Sequence, residues 1–154
     1  MLKKFLLCLA FCASFVSAQA QTTTDDEAIN KLIADETTYF YNRQYKMWAS
    51  CYVQSDYLRW TCAEPELFLN AQGWEQLSTM INNYMTENAT PVNFKIVRTA
   101  QTITYNGNVA WVGFKALLVT DLGESNWNEF RLLEKNKEGA WQIAYMNSIK
   151  LVAK

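Results

Sequence analysis

The sequence predicts an α+β domain in which helices cover one face of a curved antiparallel sheet. Three observations carry this. From Val92 to Leu151 the chain alternates apolar and polar residues through four long stretches, joined at Asn106-Gly107-Asn108, Leu122-Gly123-Glu124 and Lys137-Glu138-Gly139. The stretches before it place apolar residues at helical spacing. The chain has 154 residues, half of them apolar, which is enough for one ordinary domain with a real core. No repeat, low-complexity tract or second domain is visible. Such a sheet, with about three helices over it and short strands ahead of the four long ones, is a natural container for a small molecule.

Residues 1–20 read as a cleaved export signal. Met1-Leu2-Lys3-Lys4 is the positive n-region, Phe5 to Val16 an apolar run of twelve residues, and Ala18-Gln19-Ala20 the cleavage site. The run is short of the roughly 20 apolar residues that a spanning helix needs. Cys8 lies too early for a lipid anchor, and Cys12 follows Phe11 where a small residue is expected. The mature protein is therefore expected to be periplasmic or secreted, without membrane contact after cleavage.

Residues 21–26 are polar and expected to be a flexible leader, with the domain over 27–152. Thr24 and Glu27 match a capping box, which predicts a helix starting near Asp25. Ile29, Leu32, Ile33, Glu36, Phe40 and Arg43 then fall on one helical stripe, and Asn42-Arg43-Gln44 should break it before a shorter helix through Tyr52. Ser55 to Thr61 alternates as a short strand, with Asp56, Leu58, Trp60 and Cys62 on one side. A short strand is allowed at Leu67 to Asn70. Trp74, Leu77, Ile81, Tyr84, Met85 and Asn88 share a face of a second long helix, and Pro91 follows its expected end.

In the central long strand Ala110, Val112, Phe114, Ala116 and Leu118 make a wholly apolar face. Its other face mixes Trp111, Gly113, Lys115, Leu117 and Val119. In the last strand Trp141, Ile143, Tyr145, Asn147, Ile149 and Leu151 line one face. Asn106-Gly107 is the strongest hairpin signal.

Composition excludes several classes. Cleavage removes Lys3 and Lys4 and takes the formal charge from −1 to −3, which leaves no footprint for nucleic acid or an anionic surface. Without histidine, Cys51 and Cys62 are too few ligands for structural zinc, so no metal is expected. In an oxidising compartment these two cysteines form either a disulfide or two buried thiols.

The order of these elements and the residues at their joints resemble the NTF2-like superfamily, closest to its SnoaL-like and DUF4440-type bacterial members. The resemblance lies in Asn42-Arg43-Gln44-Tyr45-Lys46-Met47-Trp48, Asp56-Tyr57-Leu58-Arg59-Trp60, Ala71-Gln72-Gly73-Trp74, and Leu132-Leu133-Glu134-Lys135 leading through Gly139-Ala140-Trp141-Gln142-Ile143 to Ser148. It covers Glu27 to Val152. It implies a sheet curled into a cone, closed by helices around a pocket. Some members of that superfamily are isomerases, cyclases or dehydratases, and others bind ligands or protein partners. The isomerase tyrosine falls near Thr37 and its aspartate near Trp60, so that activity is not carried over. The dehydratase His-Asp pair cannot exist here.

Tyr41, Trp60, Trp111, Tyr145 and Asn147 are the expected ligand-lining residues. Glu36, Asp56 and Glu64 are the candidate acids or bases. Glu36 on the apolar stripe is either a buried carboxyl of raised pKa or a stripe-edge residue paired with Arg43, the reading preferred here. Asn147 either bonds to structure or points at a ligand. Asp56 either orients a substituent or begins its strand at the solvent edge. Glu129 and Arg131, on one strand face with Trp127, are read as an exposed charge pair, the alternative being an arginine site for a carboxylate.

The leading functional expectation is a cofactor-free container for a small, largely apolar or aromatic molecule, pairing as a homodimer through the open sheet face. The alternatives are an isomerase, lyase or hydrolase working through pocket carboxylates, and an interaction module whose cavity is filled.

Overall fold

A computed structural model describes residues 24–152. The signal segment, Cys8, Cys12 and residues 21–23 of the leader lie outside the described residues. Helix α1 runs over 24–41, α2 over Tyr45–Ser50 and α3 over Trp74–Glu87. The strands are β1 Arg59–Glu64, β2 Leu67–Gln72, β3 Phe94–Asn106, β4 Val109–Thr120, β5 Gly123–Lys135 and β6 Trp141–Leu151. They form one sheet in the order β2-β1-β6-β5-β4-β3. All neighbours are antiparallel except β1 and β6, so the sheet is mixed where a purely antiparallel one was expected.

Thr24 is already helical, so α1 passes through the expected cap and takes in residues 24–26 of the leader. Asp25 fixes this end: its carboxylate accepts from Lys135 Nζ at 2.9 Å and from Trp141 Nε1 at 3.1 Å. Ile29, Ile33 and Glu36 face the core. The helix stops where expected, at Arg43, whose φ of 60° no helix allows. This backbone is held by its own side chain, which donates to Asn88 O at 2.7 Å and lies 5.1 Å from the Tyr84 ring centre.

The strand expected over Ser55 to Thr61 begins later, at Arg59, because Ser55 is used by a turn. Its carbonyl accepts from Leu58 N at 3.2 Å and from Trp74 N at 3.0 Å. That second bond fastens the turn to the start of α3. Gly73, at φ 84°, makes this junction, which an L side chain would strain.

The four long strands and their turns follow the expectation closely. Val112 and Ala110 have no exposed surface, and Phe114 and Ala116 are 5% and 3% exposed. Opposite residues in an antiparallel pair share a face, so the register Val112↔Arg131, Phe114↔Glu129 and Ala116↔Trp127 turns those three β5 residues inward too.

Two bulges curl the sheet. In β3 the register shifts between Thr99 and Thr102, around Ala100 at φ 52°. In β6 Leu132 pairs with Tyr145 but Leu133 with Ile143, which leaves Ala144 as an extra residue. Side-chain alternation reverses there. Trp141 and Ile143 point inward before the bulge; Met146 and Ser148 do so after it.

Candidate functional site

Helices α1, α2 and α3 close the concave side of the sheet over a cavity of about 400 Å³. This lies toward the small end of ligand pockets, which run from roughly 300 to 1,000 Å³. Phe40, Tyr41, Trp60, Ile96, Leu118 and Trp127 supply apolar wall. The most exposed lining residues, Leu67 at 47% and Tyr84 at 41%, mark the mouth. There Glu64 pairs with Lys150 at 2.7 Å.

The floor is polar and buried. Glu36, 5% exposed, accepts through Oε1 from Trp48 Nε1 at 3.0 Å and from Tyr52 OH at 2.7 Å. The donors come from α2 and the residue after its cap, so the short helix exists in part to aim two donors at one carboxylate. Trp48 is itself fixed by ring contacts with Tyr52 at 4.7 Å and Trp74 at 6.2 Å. Arg131, 3% exposed, donates to Glu129 Oε2 at 2.6 Å, and the same oxygen accepts from Ser148 Oγ at 2.5 Å. Arg98 donates to Thr37 Oγ1 at 2.7 Å. The two guanidiniums each lie 5.6 Å from the Phe114 ring centre.

Protonation follows from burial. Tyr52 is pushed well above the ordinary tyrosine range by desolvation first and by the charge of Glu36 second. Tyr41 rises for the same two reasons. Both therefore remain hydrogen-bond donors at neutral pH. Burial also holds the Cys62 thiol up to about 11 and the Cys51 thiol up to about 12.

Of the residues expected from sequence, the structure brings Glu36, Tyr41, Trp60 and Glu64 together around the cavity. Asp56 is elsewhere, in the turn before β1, beside a depression between β2 and α3 on the outside of the cone. Trp111 faces outward because its neighbours Ala110 and Val112 both face the core. Tyr145 and Asn147 also face outward, since the Ala144 bulge reverses β6. There Asn147 Nδ2 donates to Tyr145 OH at 3.2 Å, and Tyr145 packs on Phe130.

Two further expectations are corrected, and a third point, left open between a disulfide and two thiols, is decided. Glu36 pairs with Trp48 and Tyr52, while Arg43 serves the α1–α2 junction instead. Glu129 and Arg131 form a buried pair inside the cone, not an exposed one. Cys51 and Cys62 are free thiols. Cys51 closes α2, with its carbonyl bonded to Ile143 N at 2.8 Å, whereas Cys62 looks into the cavity from β1. Ser148, Thr37, Arg98 and Trp48 were not anticipated as site residues. Among the described residues no three carboxylates or thiols converge as a metal site, and no helix is long and apolar enough to cross a membrane.

No family model and no curated protein matches the sequence. Solved structures do match its fold. A candidate dehydratase of the NTF2-like family from Streptomyces avermitilis superposes with a TM-score of 0.67 at 12% identity, covering 86% of this chain and 99% of its own. A protein of unknown function with a cystatin-like fold, from Nostoc punctiforme, gives 0.67 at 14% identity, covering 84% and 93%. The CaMKII hub of S. rosetta gives 0.59 at 16%, covering 82% and 95%. This chain has the NTF2-like, cystatin-like α+β fold.

Proposed function

Given that fold, we propose that the protein binds a small, largely apolar molecule in its cone, without metal or cofactor, after export from the cytoplasm. The observation that carries the reading is the cavity itself: about 400 Å³, with aromatic and aliphatic walls converging on a buried polar floor. An apolar body fits the walls, and the floor supplies orientation and selectivity. Export rests on the sequence of residues 1–20. Self-association through the outer sheet face is part of the proposal. It is supported by exposed Val97, Trp111, Phe130, Ile149 and Leu151, and by likeness to a protein named as a hub.

A catalytic reading draws on one specific observation. Glu36 and Glu129 face a single cavity, and one neighbour in fold is named as a candidate dehydratase. A carboxylate facing a cavity with apolar walls can serve as proton acceptor for a lyase, isomerase or hydrolase of a small organic substrate. Asp56, outside the cone, has no part in it.

Native mass spectrometry of the protein produced with its own residues 1–20 tests the proposal. A mature chain beginning at Gln21 with a co-purified mass that leaves on denaturation is the expected result. A chain that binds neither a co-purified molecule nor any small aromatic probe would overturn it.

A further inference from the structure

We infer that the buried end of the ligand is an uncharged group that both donates and accepts a hydrogen bond, such as an alcohol, phenol or amide, held between Glu36 Oε2 and Arg131 Nη2. This rests on the pocket reading above and adds the chemistry of the ligand's polar end.

Two free valences define the group. Both hydrogen bonds to Glu36 go to Oε1, and no described residue donates to Oε2. Arg131 spends Nη1 on Glu129 and on the Phe130 carbonyl, and no described group accepts from Nη2. Among the described residues the side-chain atoms sealed away without a partner are the Nε groups of Arg98 and Arg131. Oε2 and Nη2 are not among the sealed atoms, and both residues line the cavity. The two side chains form no direct ion pair, yet the charge of Glu36 acts on Arg131. One free acceptor and one free donor on the wall of the same cavity match a small group that both donates and accepts.

Charge decides that the group is neutral. Glu36, Glu129 and Arg131 line the cavity, and Arg98 stands beside it, bonded to the lining residue Thr37 and over the Phe114 ring. At the mouth Glu64 is matched by Lys150. The enclosure is balanced before anything enters. An anion or a cation would leave one charge uncompensated among apolar walls, where such a charge is costly. A neutral donor–acceptor group satisfies both valences and leaves the balance intact.

The test is an NMR titration of the mature protein with four naphthalene probes that differ at one position: 2-naphthamide, 2-naphthoate, 2-naphthylmethylammonium and 2-methylnaphthalene. The amide is expected to bind at least about tenfold more tightly than either ion and than the hydrocarbon. Glu36→Gln, which keeps an acceptor for Trp48 and Tyr52 but removes one negative charge, should weaken the amide and move the preference to naphthoate. Glu129→Gln removes the same charge at another place and should also favour naphthoate. Tightest binding of either ion to the wild type would overturn the inference, as would a charge preference that neither variant moves. Equal binding of amide and hydrocarbon would overturn it while leaving the pocket reading intact. Failure of all four probes would remove both.

Discussion

Glu36 is the residue on which the interior turns. A carboxylate at 5% exposure is stable only if its charge is answered, and here the answer is two neutral donors plus two arginines at longer range. Hydrogen bonds to a charged group contribute about 1.5–3 kcal/mol each, more than neutral ones. Tyr52→Phe deletes one donor and changes almost no volume. It should lower stability by about 2 kcal/mol in urea unfolding, and a loss below about 0.5 kcal/mol would mean that the hydroxyl is not needed there. That Glu36 is unusual was legible in the sequence, because a carboxylate interrupts an apolar stripe. Its partners were not. Trp48 and Tyr52 are twelve and sixteen residues away, and only the turn at Arg43 folds α2 back to reach it.

At the level of elements, hairpin register explains both what could be foreseen and what could not. The inward face of β4 was plain from its apolar run, and the short turn at Gly123 transmits that face to β5. Counting across it turns Glu129 and Arg131 inward, so the buried pair was available to a reader who trusted register over the general preference of charges for water. The reversal in β6 had no such signal. Ala144 is an ordinary residue whose extra place in the ladder arises from how β6 must bend to meet both β5 and β1. Two substitutions at adjacent positions test this phase. Asn147→Lys, on the outer face, should change monomer stability by no more than about 0.5 kcal/mol. Met146→Lys brings a charge into the cavity and should cost about 2 kcal/mol or more. Unbroken alternation demands the reverse order, so the ranking of the two urea midpoints is decisive.

On the scale of the whole molecule the sheet separates two surfaces of different character. Its concave side is the polar-floored cavity; its convex side leaves Val97 42%, Trp111 39%, Phe130 38%, Ile149 44% and Leu151 40% exposed. Apolar groups gathered on one face favour burial against a partner, and a second copy presents the matching patch. Light scattering of the wild type should give the mass of a dimer or higher assembly, and Trp111→Lys should reduce it to that of one chain. An unchanged mass would dismiss this face as the interface. The tryptophans are divided along the same boundary. Trp48, Trp60 and Trp127 line the cavity, Trp74 and Trp141 pack in or against the core, and Trp111 stands on the convex face. Indole emission responds to the polarity and the quenchers beside the ring, so an occupant of the cone would shift one group of emitters while assembly shifts the other. The protein thus carries built-in optical reporters of occupancy and of assembly, and replacing Trp111 by phenylalanine would remove the one on the assembly face without a label.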